Sequence, residues 1–343
     1  MSIRQVILSI VKVLGGMTLA KKLTNQGLQI ICYHGISLRD EHCFQPKLFM
    51  REETFRERLA YLKQNGYQVL SLEEALSHLY QETLPKRALV ITFDDGWLGT
   101  GTKAAPLLKQ YGFCSTLYVT TNDVLNQTPV FDVALRYLLW KKQDKTIDLS
   151  LIGLEPETII LKSSVELERA AYRISDISKN WDNHDRQTLL QKLAGISGVE
   201  WNMNTSNSLF CLMTIKQLAQ LPSLNMDLQL HTHHHCLPIS DQEGAEHEIT
   251  KNRNALKPIV SGPLKHFCYP SGKFHPSQFS WLKKLGIESA TTCLSGFNYP
   301  NTERFALRRF LDGEHITQVE FEAELSGFLE LMRKLRRILS SGS

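Results

Sequence analysis

The 343-residue sequence lacks the cysteine pattern of secreted domains that are built on disulfides. Its seven cysteines are odd in number and are never spaced as Cys-x-x-Cys. Several stand in apolar segments, where a free cysteine behaves as a small hydrophobic residue. This usage argues against a disulfide framework and favours a reducing compartment.

Strong net charge, internal repeats and long apolar runs are absent as well. The formal net charge of +4 is too small to indicate a nucleic-acid partner, and no basic stripe is interleaved with aromatic residues. No apolar run reaches the roughly 20 residues that a transmembrane helix needs. The length allows one large domain or two small ones, and α/β barrels commonly have this length.

The first 26 residues are predicted to form an amphipathic helix. Lys12 interrupts the apolar run, which argues against a cleaved signal peptide. The helix either packs on the domain or lies on a membrane surface. The prediction rests on apolar residues that recur at helical spacing, namely Ile3, Val6, Ile7, Ile10, Val13, Leu14 and Met17.

The strongest chemical signal stands at the end of one apolar run. Residues 88–93 are strand-forming and lead directly into Asp94, Asp95 and Gly96. Strands of this composition are buried, so both carboxylates are expected where the strand leaves the sheet. Gly96 permits a tight turn there. Because adjacent carboxylates repel each other unless a cation neutralises one of them, the segment predicts a metal ion.

A second apolar run supplies candidate ligands for that metal. Residues 225–230 are predicted to form a strand that runs into His231, Thr232 and three consecutive histidines ending at His235. Pro238 follows closely and argues against an immediate helix. Two imidazoles and one carboxylate, with positions left open, are typical of catalytic zinc sites.

Three of these segments together resemble the motifs of a known family. Residues 92–96, the His231-Thr232-x-x-His235 segment and residues 267–272 (Phe-Cys-Tyr-Pro-Ser-Gly) are similar to the first three motifs of the polysaccharide deacetylases, the family of the NodB-homology domain and of carbohydrate esterase family four. Residues 31–36 and 305–309 add to the likeness, which covers most of residues 28–312. The resemblance implies an α/β fold, an irregular (β/α) barrel of about seven strands.

The pattern along the chain fits that expectation. Predicted strands and helices alternate, as in a parallel sheet with helices outside it. Asp95, His231 and Pro270 fall at the carboxyl ends of different strands, where barrels carry their catalytic residues. We expect the barrel over residues 27–315. Strands are predicted at 28–33, 67–70, 88–93, 115–120, 226–230, 265–269, 288–292 and 305–310, and helices at 54–65, 72–80, 101–111, 214–221, 241–256 and 276–285.

Two segments depart from the alternation. Residues 123–212 or thereabouts look like an insertion with helical patterns at 130–142, 165–174 and 187–193. It either shapes substrate access or is a helical lid without specific contacts. Residues 316–343 are predicted to form a C-terminal amphipathic helix and tail. Its basic end is either a solvated face or a contact with an anionic membrane.

The resemblance implies a role for each matched residue. Asp95, His231 and His235 would hold a divalent metal, zinc first, with cobalt, nickel or manganese as alternatives. Asp94 would be the general base that takes a proton from metal-bound water. The backbone N–H of Ser271 would help to stabilise an oxyanion. Substrate contacts are expected from Trp97, Tyr269, Pro270, Ser271, Gly272 and Arg309.

Two departures from the commonest family pattern shift roles to other residues. Cys268 stands where an arginine usually orients the base, and Arg309 is the candidate to replace that arginine beside Asp94. The Leu-His-Asp segment that usually provides the general acid has no match. A branch that includes biofilm poly-N-acetylglucosamine deacetylases carries the acid on an N-terminal Tyr-His strand. His34 matches it and is predicted to be the acid, across the metal from Asp94, with a structural histidine as the alternative.

These residues predict a metal-dependent hydrolase that removes the N-acetyl group of an amino sugar in a polysaccharide, a lipopolysaccharide or a lipid-linked glycan precursor. Hydrolysis of another small amide or of a formyl group is the alternative on the same fold, and an inactive carbohydrate-binding homologue is the alternative of a different class. We expect a cytoplasmic or inner-membrane-face location in preference to the periplasm. The expected partners are a glycan, no nucleic acid and, where the amphipathic ends act as anchors, the membrane surface.

Overall fold

Strands and helices alternate in the computed structural model, which describes residues 2–142, 146–201 and 209–341. Met1, parts of the predicted insertion (143–145 and 202–208) and the end of the predicted tail (342–343) lie outside the described residues. The strands in the described ranges are β1 (Gln29–Tyr33), β2 (Gly35–Ile36), β3 (Phe49–Met50), β4 (Gln68–Val69), β5 (Ala88–Asp95), β6 (Ser115–Val119), β7 (Thr146–Asp148), β8 (Thr158–Ile160), β9 (Met226–Leu230), β10 (His266–Cys268), β11 (Ser289–Thr291) and β12 (Phe310–Leu311).

The helices in the same ranges surround those strands. They are α1 (Ile3–Val13), α2 (Gly16–Leu23), α3 (Glu41–Phe44), α4 (Glu52–Gln64), α5 (Leu72–Tyr80), α6 (Ala105–Tyr111), α7 (Asn122–Asn126), α8 (Phe131–Lys141), α9 (Ser164–Ile177), α10 (Asn183–Ser197), α11 (Ile215–Leu218), α12 (Gln242–Leu256), α13 (Gln278–Lys284), α14 (Gln318–Leu325) and α15 (Phe328–Ser341). A π turn (Thr100–Ala104) precedes α6, and short 3₁₀ turns include Pro270–Gly272 and Arg304–Ala306.

Eight strands form one parallel sheet within the described residues. The order is β11-β10-β9-β6-β5-β1-β12, and β4 pairs with the amino half of β5. A parallel bridge between Thr291 and Leu307 brings the two outer edges together. The predicted (β/α) barrel of about seven strands is therefore confirmed.

The strands are buried on both faces, as expected of a parallel sheet covered by helices. All eight residues of β5 are buried. One row of alternate residues, which includes Ile30, Val90 and Tyr118, forms an inner apolar cluster, whereas Ile31 and Ile91 belong to the cluster beneath the helices. Because side chains alternate along a strand, Asp94 continues the inner row at its carboxyl end.

The amino-terminal segment forms two helices, where the sequence predicted one. Gly15 adopts a φ of +77°, which glycine tolerates without steric cost, and α1 and α2 meet at 78°. Most of the predicted apolar stripe is exposed, whereas Leu8 and Met17 pack against Ala323 of α14. Among the described residues no single helix is both long and apolar enough to cross a membrane, although α1 and α2 taken together pass that test with the bend between them.

The carboxyl-terminal segment is also divided into two helices, where one was predicted. Gly327 separates α14 from α15 with a φ of +75°, and a Cβ there would lie 2.1 Å from the hydroxyl oxygen of Thr24. The carbonyl oxygen of Leu325 accepts hydrogen bonds from Nε2 of Gln29 (2.9 Å) and the hydroxyl of Tyr67 (3.0 Å). These donors stand at the amino ends of β1 and β4, so the terminal helices join the barrel at the end opposite Asp94.

The predicted insertion contains the helices α8, α9 and α10 and the antiparallel pair β7–β8. Leu135, Ala171 and Leu190 are buried in the same apolar cluster as the outer faces of the barrel strands. The Tyr137 hydroxyl donates to Oδ1 of Asp40 (2.7 Å) and ties α8 to the rim. The described part of the insertion therefore packs as a continuation of the barrel.

Close packing beside β2 provides a test of this fold. A Cβ at Gly99 would lie 1.8 Å from the backbone oxygen of Ile36, whereas one at Gly195 in α10 would meet nothing within 4 Å. Gly99→Ala should lower the free energy of unfolding by about 1–3 kcal/mol or more because backbone must move. Gly195→Ala should leave it unchanged or raise it by up to about 1 kcal/mol through helix propensity. Urea unfolding would measure both, and equal stabilities would contradict the packing described for Gly99.

Candidate metal centre and active site

The strand register brings the predicted metal ligands to one edge of the sheet. Asp95, the last residue of β5, pairs with Val119 of β6, which in turn pairs with Leu230, the last residue of β9. His231 follows directly. Because the strands are parallel, their carboxyl ends lie at the same end of the barrel, where the loops that follow them converge.

Asp95, His231 and His235 converge on one point. Oδ1 of Asp95 is 3.4 Å from Nε2 of His231 and 3.4 Å from Nε2 of His235, and one ligand atom from each residue lies within 4.8 Å of the others. This Oδ1 is buried and has no hydrogen-bond partner among the described residues. An unpaired buried carboxylate oxygen is costly, so this donor set fits a divalent cation.

Outer contacts hold these ligands in orientation. Nδ1–H of His231 donates to the carbonyl oxygen of Cys268 (2.8 Å), which leaves Nε2 as the coordinating nitrogen. The indole N–H of Trp97 donates to Oδ2 of Asp95 (2.7 Å). Trp97 was predicted to contact the substrate, but it is buried against Phe49 and orients the candidate ligand Asp95.

The histidine loop is held by two residues of α12 that the sequence reasoning missed. Glu248 accepts hydrogen bonds from the backbone N–H groups of His233 (3.0 Å) and His234 (2.8 Å) and from Nδ1 of His234 (2.7 Å). Asn252 accepts from the N–H of His231 (3.1 Å) and donates to the carbonyl of Val119 (2.8 Å). Residues four apart share one helix face, and this spacing on the first helix after the histidines was the available signal.

Asp94 is held by Arg309 in a bidentate contact. Nη1 donates to Oδ1 (2.7 Å) and Nη2 donates to Oδ2 (2.8 Å), while Nε donates to the carbonyl of Thr292 (2.9 Å). Burial would raise the pKa of Asp94, but the adjacent guanidinium outweighs burial and holds that pKa well below its usual range. Asp94 is therefore an ionised carboxylate of fixed orientation. Arg309 is fully buried and lies beside Asp94, whereas its substrate contact stays a prediction.

Cysteine thiols complete the surroundings of Asp94. The Sγ atoms of Cys32 and Cys268 each lie 3.5 Å from Oδ2 of Asp94, and Nη2 of Arg309 is 3.1 Å from Cys268 Sγ. Burial raises the pKa of the Cys32 thiol well above its ordinary value, so the thiol remains protonated and donates to the carboxylate. The short Cys268 side chain leaves room for a guanidinium that arrives from the loop before β12.

Comparisons with known proteins find similarity to polysaccharide deacetylases. A family model described as polysaccharide deacetylase matches residues 81–145, which include Asp94 and Asp95. The Bacillus subtilis (strain 168) protein YxkH is 27% identical over 173 residues, covering 49% of this chain and 57% of YxkH. The Escherichia coli (strain K12) poly-beta-1,6-N-acetyl-D-glucosamine N-deacetylase is 33% identical over 88 residues, covering 25% of this chain and 13% of that protein.

The matched segment and both relatives support an assignment to the polysaccharide deacetylase family. The chain spans 57% of the length of YxkH and a much smaller part of the E. coli relative. The fold agrees with solved deacetylases. PplD of Streptococcus pyogenes, solved with acetate, has a TM-score of 0.57 at 17% identity, covering 87% of this chain and 98% of PplD. IcaB of Ammonifex degensii has a TM-score of 0.56 at 17% identity, covering 88% and 97%.

The third motif, residues 267–272, offers backbone more than side chains to the site. Tyr269 and Pro270 are buried, and the Tyr269 hydroxyl donates to the carbonyl of Phe305 (3.0 Å). Neither side chain is exposed, and the substrate contacts expected of these two residues stay a prediction. Ser271 is exposed with a φ of +55°, and the turn is closed by the N–H of Gly272 on the carbonyl of Tyr269 (2.9 Å), which leaves the Ser271 N–H outside that bond.

His34 lies beside Asp94 and not across the site from it. Tyr33 pairs with Phe93 in the parallel register of β1 and β5, so His34 and Asp94, the next residues, lie at the same height along the two strands. Nε2 of His34 is 3.8 Å from Oδ2 of Asp94. The side chain is 19% exposed, and its backbone carbonyl accepts from the Thr100 hydroxyl (2.7 Å). The predicted placement across the metal is wrong in this geometry, because adjacent strands cannot separate residues at the same level. The proton-donating role itself stays a prediction.

A cavity lies between His235, one of the three candidate metal ligands, and the insertion. It has a volume of about 650 Å³, within the range of small-molecule sites. His235 stands at its edge with a side chain that is 44% exposed. Tyr172 of α9 is 73% exposed beside it. The lining also includes Asn122, Asp123, Phe131, Arg136, Ser175 and Arg186.

Metal binding can be tested against a neighbouring histidine. His231→Ala should abolish stoichiometric binding of zinc, measured by titration and by elemental analysis of purified protein, because it removes one of three converging ligands. His234→Ala should bind about one equivalent, as the unaltered chain should, because the His234 ring bonds Glu248 (2.7 Å) instead. Equal loss in both variants would show that the loop, and not the Asp95 cluster, determines binding.

Proposed function

We propose that this chain is a metal-dependent deacetylase that hydrolyses the N-acetyl group of an amino sugar in a glycan. The observation that carries the proposal is the orphan Oδ1 of Asp95, which faces two histidine Nε2 atoms at 3.4 Å. An ionised Asp94, bonded to Arg309, stands directly beside it. Zinc is the proposed metal because two imidazoles and one carboxylate match its catalytic sites.

Each residue has a defined task in this reaction. A divalent cation held by Asp95, His231 and His235 would polarise the acetyl carbonyl and lower the pKa of a coordinated water. Asp94 accepts the proton of the attacking water, and Arg309 keeps its carboxylate oriented. The N–H of Ser271 donates to the developing oxyanion. His34 protonates the departing amine.

The glycan assignment draws on the cavity and on the relatives' names. The E. coli relative is named as a deacetylase of poly-beta-1,6-N-acetyl-D-glucosamine. In this chain the cavity beside His235 is bordered by hydroxyl, amide and charged groups and by the exposed ring of Tyr172, a combination suited to a sugar. We extend the proposal to an N-acetylated polysaccharide, lipopolysaccharide or lipid-linked precursor on the cytoplasmic side, in keeping with the seven unpaired cysteines.

The central experiment measures free amines released from N-acetylglucosamine oligomers by the zinc-loaded protein. Asp94→Asn should retain zinc but reduce turnover by roughly a hundredfold or more, the typical contribution of a positioned base. Loss of zinc in this variant would make Asp94 a ligand instead. Sugar binding without amine release by the unaltered protein would support the inactive carbohydrate-binding alternative, and activity only on other small amides would support the alternative within the family.

The role of His34 requires a comparison of two leaving groups. His34→Ala should depress turnover of an acetamide by about 10²–10⁴-fold, and should affect an activated acetyl ester much less because its leaving group needs no proton. At 3.8 Å from Asp94, His34 could alternatively act by orienting the base. Equal losses of kcat/KM on both substrates would favour that orienting role.

A further inference from the structure

The terminal helices carry most of the exposed apolar surface in the described residues. Of 19 large apolar side chains that are exposed there, eight lie between residues 3 and 23 and three lie between residues 335 and 339. Clustering of this kind marks an interaction site, whereas single exposed residues do not. This terminal apolar surface comprises Ile3, Val6, Ile7, Ile10, Val13, Leu14, Leu19, Leu23, Leu335, Ile338 and Leu339.

The orientation of α1 is fixed by its opposite face. Leu8 is buried in the cluster with Ala323 of α14, and Lys12 pairs with Glu322. Arg4 is 3.7 Å from Glu320. The helix is therefore attached to α14 through contacts that leave its apolar stripe facing outward.

The charge distribution identifies the chemistry of the partner. Residues 1–28 and 331–343 contain eight Lys and Arg and no Asp or Glu. Since the whole chain has a net charge of +4, the 302 residues between them have a net charge of −4. Arg4, Lys12 and Arg333 pair with acidic residues of α14, whereas Lys22 and Arg336 are exposed next to residues of the apolar surface.

We propose that the terminal apolar surface docks on the surface of an anionic lipid bilayer. The stripe of α1 would enter the boundary between headgroups and acyl chains, as amphipathic helices do, and the basic side chains would contact anionic headgroups. A second copy of the chain fits less well, because a two-fold interface would place the same basic surface against itself. The proposal does not depend on the deacetylase reaction.

Vesicle co-sedimentation of the full-length protein tests the proposal. The protein should sediment with vesicles of phosphatidylcholine and phosphatidylglycerol, less with phosphatidylcholine alone, and less at high salt. Ile7→Glu/Ile10→Glu should weaken binding at least tenfold or so, because buried apolar area drives insertion. The matched control is Leu151→Glu/Ile160→Glu, whose side chains are as exposed (59% and 46%) as Ile7 and Ile10 (54% and 53%), and it should bind like the unaltered protein.

The basic contribution has its own matched pair. Lys22→Glu should weaken binding to anionic vesicles by about fivefold or more, whereas Lys216→Glu, an exposed residue on α11, should have no effect. Circular dichroism and zinc binding would check that each variant is folded.

Three results would overturn the proposal. One is equal binding of the Ile7→Glu/Ile10→Glu variant and its control. Another is a stable dimer in solution that this variant disrupts, which would assign the surface to a second copy. The third is resistance of the membrane-bound protein to alkaline carbonate extraction, which would indicate a spanning segment.

Discussion

The site depends on a buried ion pair between Asp94 and Arg309. Removing two charges from water costs free energy. That cost is offset because the guanidinium of Arg309 donates hydrogen bonds to both carboxylate oxygens and to a backbone carbonyl. Two cysteine thiols also donate to the same carboxylate. Loss of one partner would leave an uncompensated charge, at a cost of about 3–5 kcal/mol. The pair also links β5 to the loop before β12, and so connects the strand that bears Asp94 to the last strand of the barrel.

A second constraint is that the adjacent carboxylates of Asp94 and Asp95 have different surroundings. Asp94 continues the inward row of β5 and meets Arg309, whereas Asp95, with a φ of +72°, turns out of the strand towards the histidines. The indole N–H of Trp97 donates to one oxygen of Asp95, and the other oxygen has no hydrogen-bond partner among the described residues. Neighbouring residues in sequence are thereby given different environments, one with a fixed cation from the protein and one that fits a metal. Because the environments differ, the same side-chain type can serve two purposes.

The sequence was sufficient for features that depend on local pattern. Strand composition, the abrupt carboxylates after β5 and the histidines after β9 predicted which residues would meet at the edge of the sheet. The sequence was insufficient where the direction of a side chain depends on strand register and pleat. Trp97 and Tyr269 were expected to contact substrate, but their side chains are buried. His34 was expected across the site from Asp94 and lies beside it. Breaks at Gly15 and Gly327 were missed because an apolar pattern at helical spacing continues past them. Residues 305–310 were predicted to be a strand, but Glu303 accepts a hydrogen bond from the Phe305 N–H and begins a 3₁₀ turn.

The attachment of the terminal helices at the amino ends of β1 and β4 has a geometric consequence for a membrane-docked enzyme. The candidate metal ligands lie at the carboxyl end of the sheet, and the eight residues of β5 span roughly 25 Å. An enzyme resting on its terminal helices would hold its catalytic opening that far from the lipid headgroups, directed away from the bilayer. The sugar joined directly to a lipid carrier would then lie short of the metal, whereas units further along the same glycan would reach it. Distance from the bilayer, in addition to sugar chemistry, would decide which unit of a membrane-tethered glycan loses its acetyl group.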